Sequence, residues 1–394
     1  MIPAPHFTVL LPAAPARSPL PPVAVTLAAA ALLHLAFWHI VAADMSAYLL
    51  PWFDHIVRTG PVAAFAAPFS NYTPPYLYLL AIVSPLAPFV PWITLIKLIS
   101  VAGTGALAFA VRHLLTRLDV PQPERGAALV FLLPSVAINA SLLGQADMFW
   151  AAPCVMALAA ALDRRHAATL LWCGVALSFK AQAVLIAPFF LALLIHRRVP
   201  VRLWLLTPLA TAAMMIPAMV AGWPPGNLVA IYALQSTTFA DLSRNAPNIW
   251  SIIDLLPRGE DMPLLGLAFT AAVGASAAYI ARFSAQPLHG RALIAAALLA
   301  MLVTAGLLPK MHERFFYLAD IVALVLAIMA ADRESWRTAL LIQTGSTLAL
   351  FAYLSGIESV AAMSAVPMLV ATWRIARPLL QPAANDNPLL VRPI

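Results

Sequence analysis

The sequence predicts an all-α polytopic membrane protein with about twelve transmembrane helices and no soluble domain. Its 394 residues are 62% hydrophobic and only 10% charged, with a mean hydropathy of +0.88, whereas soluble domains are roughly 25% charged. Apolar runs of near-spanning length recur along the whole chain, separated by short loops that carry arginine. The net charge of +7 therefore reflects orientation in the bilayer rather than binding to nucleic acid.

A single transmembrane domain is predicted for residues 21–377, divided by a polar outer loop at about 223–262. Residues 1–20 are rich in Pro and Ala without helical periodicity, and residues 378–394 carry an Asn-Asp-Asn run, so both are predicted to be disordered cytoplasmic tails. The predicted spans are residues 22–42, 92–115, 126–143, 148–162, 167–179, 183–195, 203–221, 263–281, 292–308, 315–330, 339–354 and 360–373.

The first outer loop, about residues 44–90, contains an apolar stretch at 76–89 that is broken by Pro85 and Pro88. This stretch is shorter than the roughly 20 residues that a helix needs to span the bilayer. We therefore expect an interfacial, amphipathic helical segment here. Counting it as a span would also move every later loop to the opposite side of the membrane, and the arginine-containing loops would then no longer lie inside.

Arginines predict the orientation of the chain. With the N-terminus inside, every inner loop carries arginine, as the positive-inside rule requires, and both termini are cytoplasmic. The outer face would then carry Asp44, Asp147 and the segment Lys310–Arg314. Only three of the basic residues are lysines. This preference for arginine is typical of a GC-rich genome and points to a bacterial inner membrane. The inner arginines are Arg112, Arg117, Arg125, Arg164, Arg165, Arg197, Arg198, Arg202, Arg282, Arg291, Arg333, Arg337, Arg374 and Arg377.

Four ionisable residues, Lys310, His312, Glu313 and Arg314, separate two of the predicted spans. A charged side chain near the bilayer centre costs about 2.5 to 3.5 kcal/mol, so such a cluster needs protein, water or a ligand around it. The basic side chains could instead snorkel to the interface. Three basic groups and a carboxylate within five residues favour the wall of a polar site.

Three further polar residues each allow two interpretations. Asp44 follows the first span and could be a general base or a solvated helix-end carboxylate. Asp147 lies between two spans and could cap a helix or take part in chemistry. Lys180 could snorkel or bind a phosphate as a point charge. Together with the 310–314 cluster, they predict a reaction on a lipid phosphate at the outer face.

The loop at 223–262 mixes amides, charges and aromatic rings, a mixture that suits sugar hydroxyls but is equally typical of any hydrated loop. Its candidate residues are Tyr232, Gln235, Asp241, Arg244, Asn245, Asn248 and Trp250.

Four motifs, in this order along the chain, resemble those of the GT-C glycosyltransferases that use polyprenyl- or dolichyl-phosphate sugars, especially the bacterial relatives of the GPI mannosyltransferases. Each motif is weak alone, and the ordered set is more specific. The motifs are Asp44–Trp52; Tyr72–Tyr76; Gly144–Asp147 with Trp150; and Lys180–Gln182 joined with His312–Arg314.

The resemblance implies a GT-C-type bundle and an inverting transfer of a hexose, with mannose favoured, from a polyprenyl-phosphate donor to a lipid-linked glycan or polysaccharide. It assigns the catalytic base to Asp44 and places His312 and Arg314 beside the donor phosphate, where Lys180 and Lys310 could assist. The remaining candidates for substrate binding or support are Asp147, Gln145, Gln182, Glu313, Tyr72, Arg244, Asn248 and Trp250.

The first motif departs from the pattern of some relatives, which carry two adjacent acids. Here Met45 follows Asp44, and Asp54 is a separate candidate. No cofactor is firmly implied, and the departure argues against a divalent metal requirement.

Two other functions remain open. A transporter or flippase of lipid-linked glycans would line a path with charges, but such proteins commonly carry internal repeats, and we detect none in the sequence. A glycan polymerase or ligase would share the outer-face site, and only the four motifs speak against it.

Overall fold

A computed structural model describes residues 20–237, 241–256 and 262–381, and these residues are almost entirely helical. The helices are α1 (Val23–Ala36), α2 (Leu50–Thr59), α3 (Pro74–Val83), α4 (Trp92–Arg117), α5 (Pro123–Ala128), α6 (Pro134–Ala137), α7 (Asp147–Leu162), α8 (His166–Phe179), α9 (Ala187–His196), α10 (Val201–Trp204), α11 (Leu206–Ala221), α12 (Pro225–Thr237), α13 (Ile249–Ile253), α14 (Met262–Ser284), α15 (Gly290–Leu307), α16 (Tyr317–Ala330), α17 (Arg333–Ser355) and α18 (Glu358–Leu380).

Shorter irregular turns join these helices. Two are π-helical, Met45–Leu49 and Ile138–Leu142, and four are 3₁₀ turns, Ala63–Ala66, Ser84–Leu86, Leu129–Leu132 and Ala181–Ile186.

The polytopic all-α prediction is confirmed. Within the described ranges, six helices are long and apolar enough to cross a membrane: α4, the stretch Val201–Ala221, α14, α15, α17 and α18. A seventh span is possible if Pro123–Leu132 and Pro134–Leu142 count together. Five further predicted spans coincide with shorter apolar helices, namely α1, α7, α8, Ala181–His196 and α16.

A bend of 58° divides the predicted span at residues 126–143. The break falls at Leu133, whose backbone is extended (φ −62°, ψ 122°), directly before Pro134. Proline disfavours helical geometry in the residue that precedes it, so the helix has to restart at this point. The second half then runs into a π-helical turn that carries Asn139.

The first predicted span is shorter than expected. Its helix, α1, has 14 residues and ends at Ala36, whereas we predicted a span to Ala42. In the turn that follows the helix, Lys97 on α4 donates to the backbone carbonyls of Phe37, Trp38 and Ile40 and so stabilises the non-helical path. The next helical residues, including Asp44, therefore start a separate segment.

Segment 76–89 forms α3 and a 3₁₀ turn, which together are too short for a spanning helix. Its interfacial position stays a prediction. The predicted tails fall outside the described residues except at their inner edges, where α18 continues past Arg377 to Leu380.

The largest hydrophobic core surrounds α15 and α16, whose residues are buried on nearly every side. By contrast, α11 and α14 expose large apolar side chains such as Val220 and Leu267, as expected of helices that face lipid. The segment between α15 and α16 contains the ionisable residues 310–314. Since both flanking helices are immobilised in the core, this polar segment is held on a rigid support.

A short parallel strand pair, β1 (Ser243–Arg244) and β2 (Met311–His312), is a feature that the all-α prediction did not include. It sets Arg244 opposite His312. The loop behind β1 is fixed to the end of α15, where Trp250 Nε1 donates to the Leu307 carbonyl at 2.7 Å. Carbonyls in the last turn of a helix have no partner within the helix, and the Trp250 ring satisfies one of them.

Candidate active site

One cavity of about 160 Å³ brings residues of all four sequence motifs together. It lies between the start of α2, the loop before α3, the turns before α7 and after α8, and the β1–β2 pair. Its polar and aromatic lining comprises Asp44, Tyr48, Trp52, Asn71, Tyr72, Gln145, Lys180, Gln182, Gln235, Arg244, Asn245, His312, Glu313, Arg314, Phe315 and Tyr353.

Asp44 faces this cavity with its carboxylate held by three side chains. Tyr353 OH donates to Oδ1 at 2.8 Å, and Gln145 Nε2 donates to Oδ2 at 3.1 Å. Arg314 Nη1 lies 3.0 Å from Oδ2. The residue directly precedes the π-helical turn Met45–Leu49, and such turns are frequent at functional sites. Asp44 therefore presents a fixed, partly exposed carboxylate to the cavity.

Gln145 connects the second and third motifs. Tyr72 OH donates to its Oε1 at 2.9 Å, and Ser100 Oγ donates to its backbone carbonyl at 2.8 Å. The preceding Gly144 has φ +64°, and a Cβ there would collide with Met45 beside Asp44. Glycine is the residue that permits this conformation without a steric cost. The turn thus packs directly under the candidate base.

Asp147 is completely buried and does not act as the helix cap that its position allowed. Ala146 is the N-cap residue of α7, and the Asp147 carboxylate faces inward. It accepts from Lys180 Nζ at 2.9 Å, from Asn139 Nδ2 at 2.8 Å and from Trp150 Nε1 at 3.0 Å. This carboxylate is the centre of a buried polar network beneath the cavity.

Lys180 forms an ion pair within that network, with Asp147. Its side chain is 3% exposed, and its ammonium lies 4.8 Å from the centre of the Tyr72 ring. Burial alone would lower the pKa of Lys180, but the Asp147 carboxylate raises it above its ordinary value. The ammonium therefore stays protonated and neutralises Asp147. A direct contact with a donor phosphate, which the sequence suggested, would have to compete with this ion pair.

Arg314 links the buried network to the cavity. Its Nη1 lies 2.6 Å from Glu313 Oε1 and its Nε lies 3.7 Å from Asp147 Oδ2, in addition to the contact with Asp44. Burial opposes the charge, but Glu313 and the other carboxylates raise the pKa of Arg314 well above its ordinary value. Burial likewise works against ionised Glu313, and Arg314 nevertheless holds the pKa of Glu313 below its ordinary value. Both residues are therefore charged.

The remaining basic candidates separate into two groups. His312 and Arg244 line the cavity, and the His312 Nδ1 atom lies 3.7 Å from Glu313 Oε2. Lys310 does not line it and occupies a left-handed backbone position, φ 61°. The strand pair therefore places His312 and Arg244, but not Lys310, at the cavity wall.

Two predicted sugar-binding residues hold the fold instead. Asn248 caps α13 by accepting from the Ser251 backbone N–H, and Trp250 is bonded to α15. Neither lines the cavity. A Pro-Asn pair before a short apolar run in the sequence is compatible with such a cap, which is why residue type alone did not distinguish the two roles.

Two amide side chains of the cavity lining each have a buried oxygen that accepts no hydrogen bond from the described residues. The two oxygens are Asn71 Oδ1 and Gln182 Oε1. A buried acceptor without a partner costs about 1 to 3 kcal/mol. A small rotation of either amide would present this acceptor to a hydroxyl donor in the cavity.

Sequence reasoning missed three residues of this site: Tyr353, Asn139 and Lys97. Tyr353 comes from the end of α17, where a tyrosine is also the usual interfacial anchor. Asn139 falls inside the predicted span at residues 126–143, where residue type alone gives no sign of a polar site. Lys97 lies inside the predicted span at residues 92–115, and a lysine within an apolar run is itself a signal that its charge has a local function.

No group of three or more His, Cys, Asp or Glu side chains is arranged to hold a metal ion in the part of the chain that the structure describes. The carboxylates of the site pair with Lys180 and Arg314 instead.

The sequence matches no family model and no curated protein. Among solved structures, the chain is similar to that of ArnT from Cupriavidus metallidurans bound to undecaprenyl phosphate. The two sequences are 14% identical, and the match covers 90% of this chain and 78% of that chain with a TM-score of 0.49.

Proposed function

We propose that this protein is an inverting membrane glycosyltransferase that transfers a hexose from a polyprenyl-phosphate donor to a lipid-linked glycan or polysaccharide. The observation that carries the proposal is the cavity in which the four motifs meet, with the Asp44 carboxylate fixed at its wall. The motifs are far apart in the sequence and each is weak alone. Their convergence on one site supports a common function.

Asp44 acts as the general base. It removes the proton from an acceptor hydroxyl as that oxygen attacks the anomeric carbon of the donor sugar. A new C–O bond forms on one face while the bond to the phosphate oxygen breaks on the other, which inverts the configuration. The polyprenyl phosphate leaves as an anion and needs no proton from the protein. The contacts from Tyr353 and Gln145 keep the carboxylate oriented for this step.

The donor phosphate is bound by Arg314, His312 and Arg244. These three basic side chains line the same cavity, two of them on adjacent strands. Preorganised cations stabilise negative charge where it develops in the transition state. Lys180 contributes indirectly, because its ion pair with Asp147 keeps that carboxylate from competing for Arg314.

The sugar is held by amides and aromatic rings. Asn71 and Gln182 offer the unpaired acceptors for sugar hydroxyls. Trp52 and Tyr72, with ring centres 4.9 Å apart, provide apolar faces in the same cavity. Mannose is the sugar that the sequence resemblance favours.

The site faces the periplasm, and the membrane is the bacterial inner membrane. The support is the arginine bias of the opposite loops. The polyprenyl chain lies in lipid-facing grooves between helices, and both termini are cytoplasmic.

The proposal is tested by transfer of labelled hexose from synthetic polyprenyl-phosphate-mannose and polyprenyl-phosphate-glucose. The purified protein is placed in nanodiscs, with membrane lipid extract as acceptor. We expect transfer that depends on Asp44. Movement of the donor lipid across the bilayer without any transfer would contradict the proposal and favour a flippase. Extension of a growing chain of sugars would favour a polymerase.

A further inference from the structure

A second cavity, of about 220 Å³, lies at the end of the helix bundle opposite the candidate active site. It forms where the connections α7–α8, α9–α10 and α14–α15 meet. Helix α7 begins at Asp147 and α8 ends beside Lys180, both of which belong to the network under the active site. The far ends of the same helices therefore place this second cavity at the other face of the membrane.

The charged and titratable side chains of this cavity are all basic. They are two arginines and three histidines, one or more from each connection: Arg164, His166, His196, Arg197 and His289. Orientation in the bilayer accounts for arginines in inner loops, but histidines contribute little to that bias. Orientation in the bilayer also does not explain why five basic side chains surround one cavity.

The positive charge in this cavity has no carboxylate partner among the described residues. Neither Arg164 nor Arg197 forms a salt bridge there, and the neighbouring Asp163 lies 3.4 Å from Arg117 instead. Arg197 Nη1 donates to the Ala161 carbonyl at 2.5 Å, which fixes its guanidinium beside the cavity. Burial and then the nearby Arg164 lower the pKa of Arg197. An anion in the cavity would relieve this crowding.

We propose that the cavity binds a phosphate anion, supplied by the headgroup of an anionic membrane lipid. Guanidinium groups match phosphate oxygens with two parallel hydrogen bonds. Basic pockets between transmembrane helices at the cytoplasmic side are suited to anionic headgroups. The lining residues His196 and Arg197 are flanked in the sequence by exposed apolar side chains, Ile195 before them and Val201 after them. They supply a surface for the acyl chains, which free phosphate would not need.

The test compares phosphatidylglycerol with phosphatidylcholine on the full-length protein in detergent. Native mass spectrometry counts the bound lipids, and thermal unfolding measures stabilisation. Inorganic phosphate forms a third arm. The variant is Arg164→Gln with Arg197→Gln, and the matched control is Arg112→Gln with Arg202→Gln, which removes the same charge from exposed inner positions outside the cavity.

We expect phosphatidylglycerol to bind and stabilise the wild type and the control. Its dissociation constant should rise about ten-fold or more in the cavity variant, as expected for lost charge-assisted hydrogen bonds. Stabilisation by inorganic phosphate that the cavity variant loses would support the same site with free phosphate as its ligand. An equal response in the variant and the control, or no preference for phosphatidylglycerol, would overturn the proposal.

The single change Arg164→Gln keeps the test decisive if the double variant does not fold, because Arg164 is exposed and lies in a loop. The lipid measurements require no glycosyl transfer, so they stand or fall independently of the proposed activity.

Discussion

Arg314 lies 3.0 Å from the Asp44 carboxylate, although the two residues are 270 positions apart in the sequence. The same guanidinium also contacts Glu313 at 2.6 Å. A donor phosphate that enters the cavity therefore meets an arginine already engaged by carboxylates. Binding would shift Arg314 partly from Asp44 to the phosphate, which leaves Asp44 freer to accept a proton.

Replacement of Asp44 by Asn should abolish transfer while the protein stays folded. The amide keeps the shape of the side chain but cannot accept the proton, and loss of a general base lowers kcat by about 10²- to 10⁴-fold. The measurement is hexose transfer in nanodiscs, with thermal unfolding to verify the fold.

Asp54→Asn is the matched control for this substitution. Asp54 pairs with Arg58 one helical turn away and does not line the cavity, so the Asp54→Asn variant should transfer hexose at the wild-type rate. Transfer at the wild-type rate by Asp44→Asn would remove Asp44 from the role of base, and loss of transfer only in Asp54→Asn would give that role to Asp54.

Replacement of His312 by Ala should weaken binding of the donor lipid about ten-fold or more, because a hydrogen bond to a charged phosphate is lost. Affinity for the acceptor should change little. Donor binding is measured by equilibrium titration with a non-transferable analogue. Lys310→Ala, from the same turn but outside the cavity, should retain donor affinity. Equal effects of both substitutions would indicate that the turn serves only as an interfacial anchor.

The membrane class and most helix positions followed from the sequence because long apolar runs have few other structures available to them. Residues within one motif were also expected to lie close together in space, because they are close together in the sequence. The exact partners were not: Lys180 is equally suited to a phosphate and to Asp147, and only the packing of α7 against α8 decides between them. Tyr353 was unpredictable for the same reason, since its contact with Asp44 depends on how α17 packs.

Removal of Lys180 should destabilise the protein rather than only lower its affinity for the donor. Lys180→Met leaves the fully buried Asp147 carboxylate without its closest cation, and breaking a buried pair costs about 3 to 5 kcal/mol. The free energy of unfolding is measured for Lys180→Met, Asp147→Asn and the double variant. The double variant should lose less stability than the two single variants added together. Strict additivity would show that the two charges do not depend on each other.

Lys97 should position Asp44 from a distance. Its buried ammonium donates to the carbonyls of Phe37, Trp38 and Ile40, at 3.0, 2.8 and 2.6 Å, in the turn that precedes Asp44. Lys97→Met leaves these carbonyls without that donor, at a cost of about 1 to 3 kcal/mol for each one that stays buried. We expect lower stability and a lower kcat with little change in the donor dissociation constant.

Thr104→Val is the control for Lys97→Met. It removes a buried hydroxyl from the same helix, but that hydroxyl bonds only to the Ser100 carbonyl one turn away. Its kcat should remain near that of the wild type. A loss of donor affinity without a loss of kcat in Lys97→Met would contradict the positioning role.

Glu313 should make the stability of the fold depend on pH in the acidic range. Arg314 outweighs the effect of burial and holds the pKa of Glu313 below its ordinary value of 4.5. A carboxylate whose pKa is lower in the folded state stabilises that state above the unfolded pKa, and this contribution is lost as the pH falls through the folded pKa. The wild type should therefore exceed Glu313→Gln in unfolding temperature at pH 7, and the difference should shrink below about pH 4.5. The exposed Glu358→Gln should follow the wild-type curve. A difference between wild type and Glu313→Gln that persists unchanged to pH 3 would show that the charge of Glu313 does not contribute to the fold.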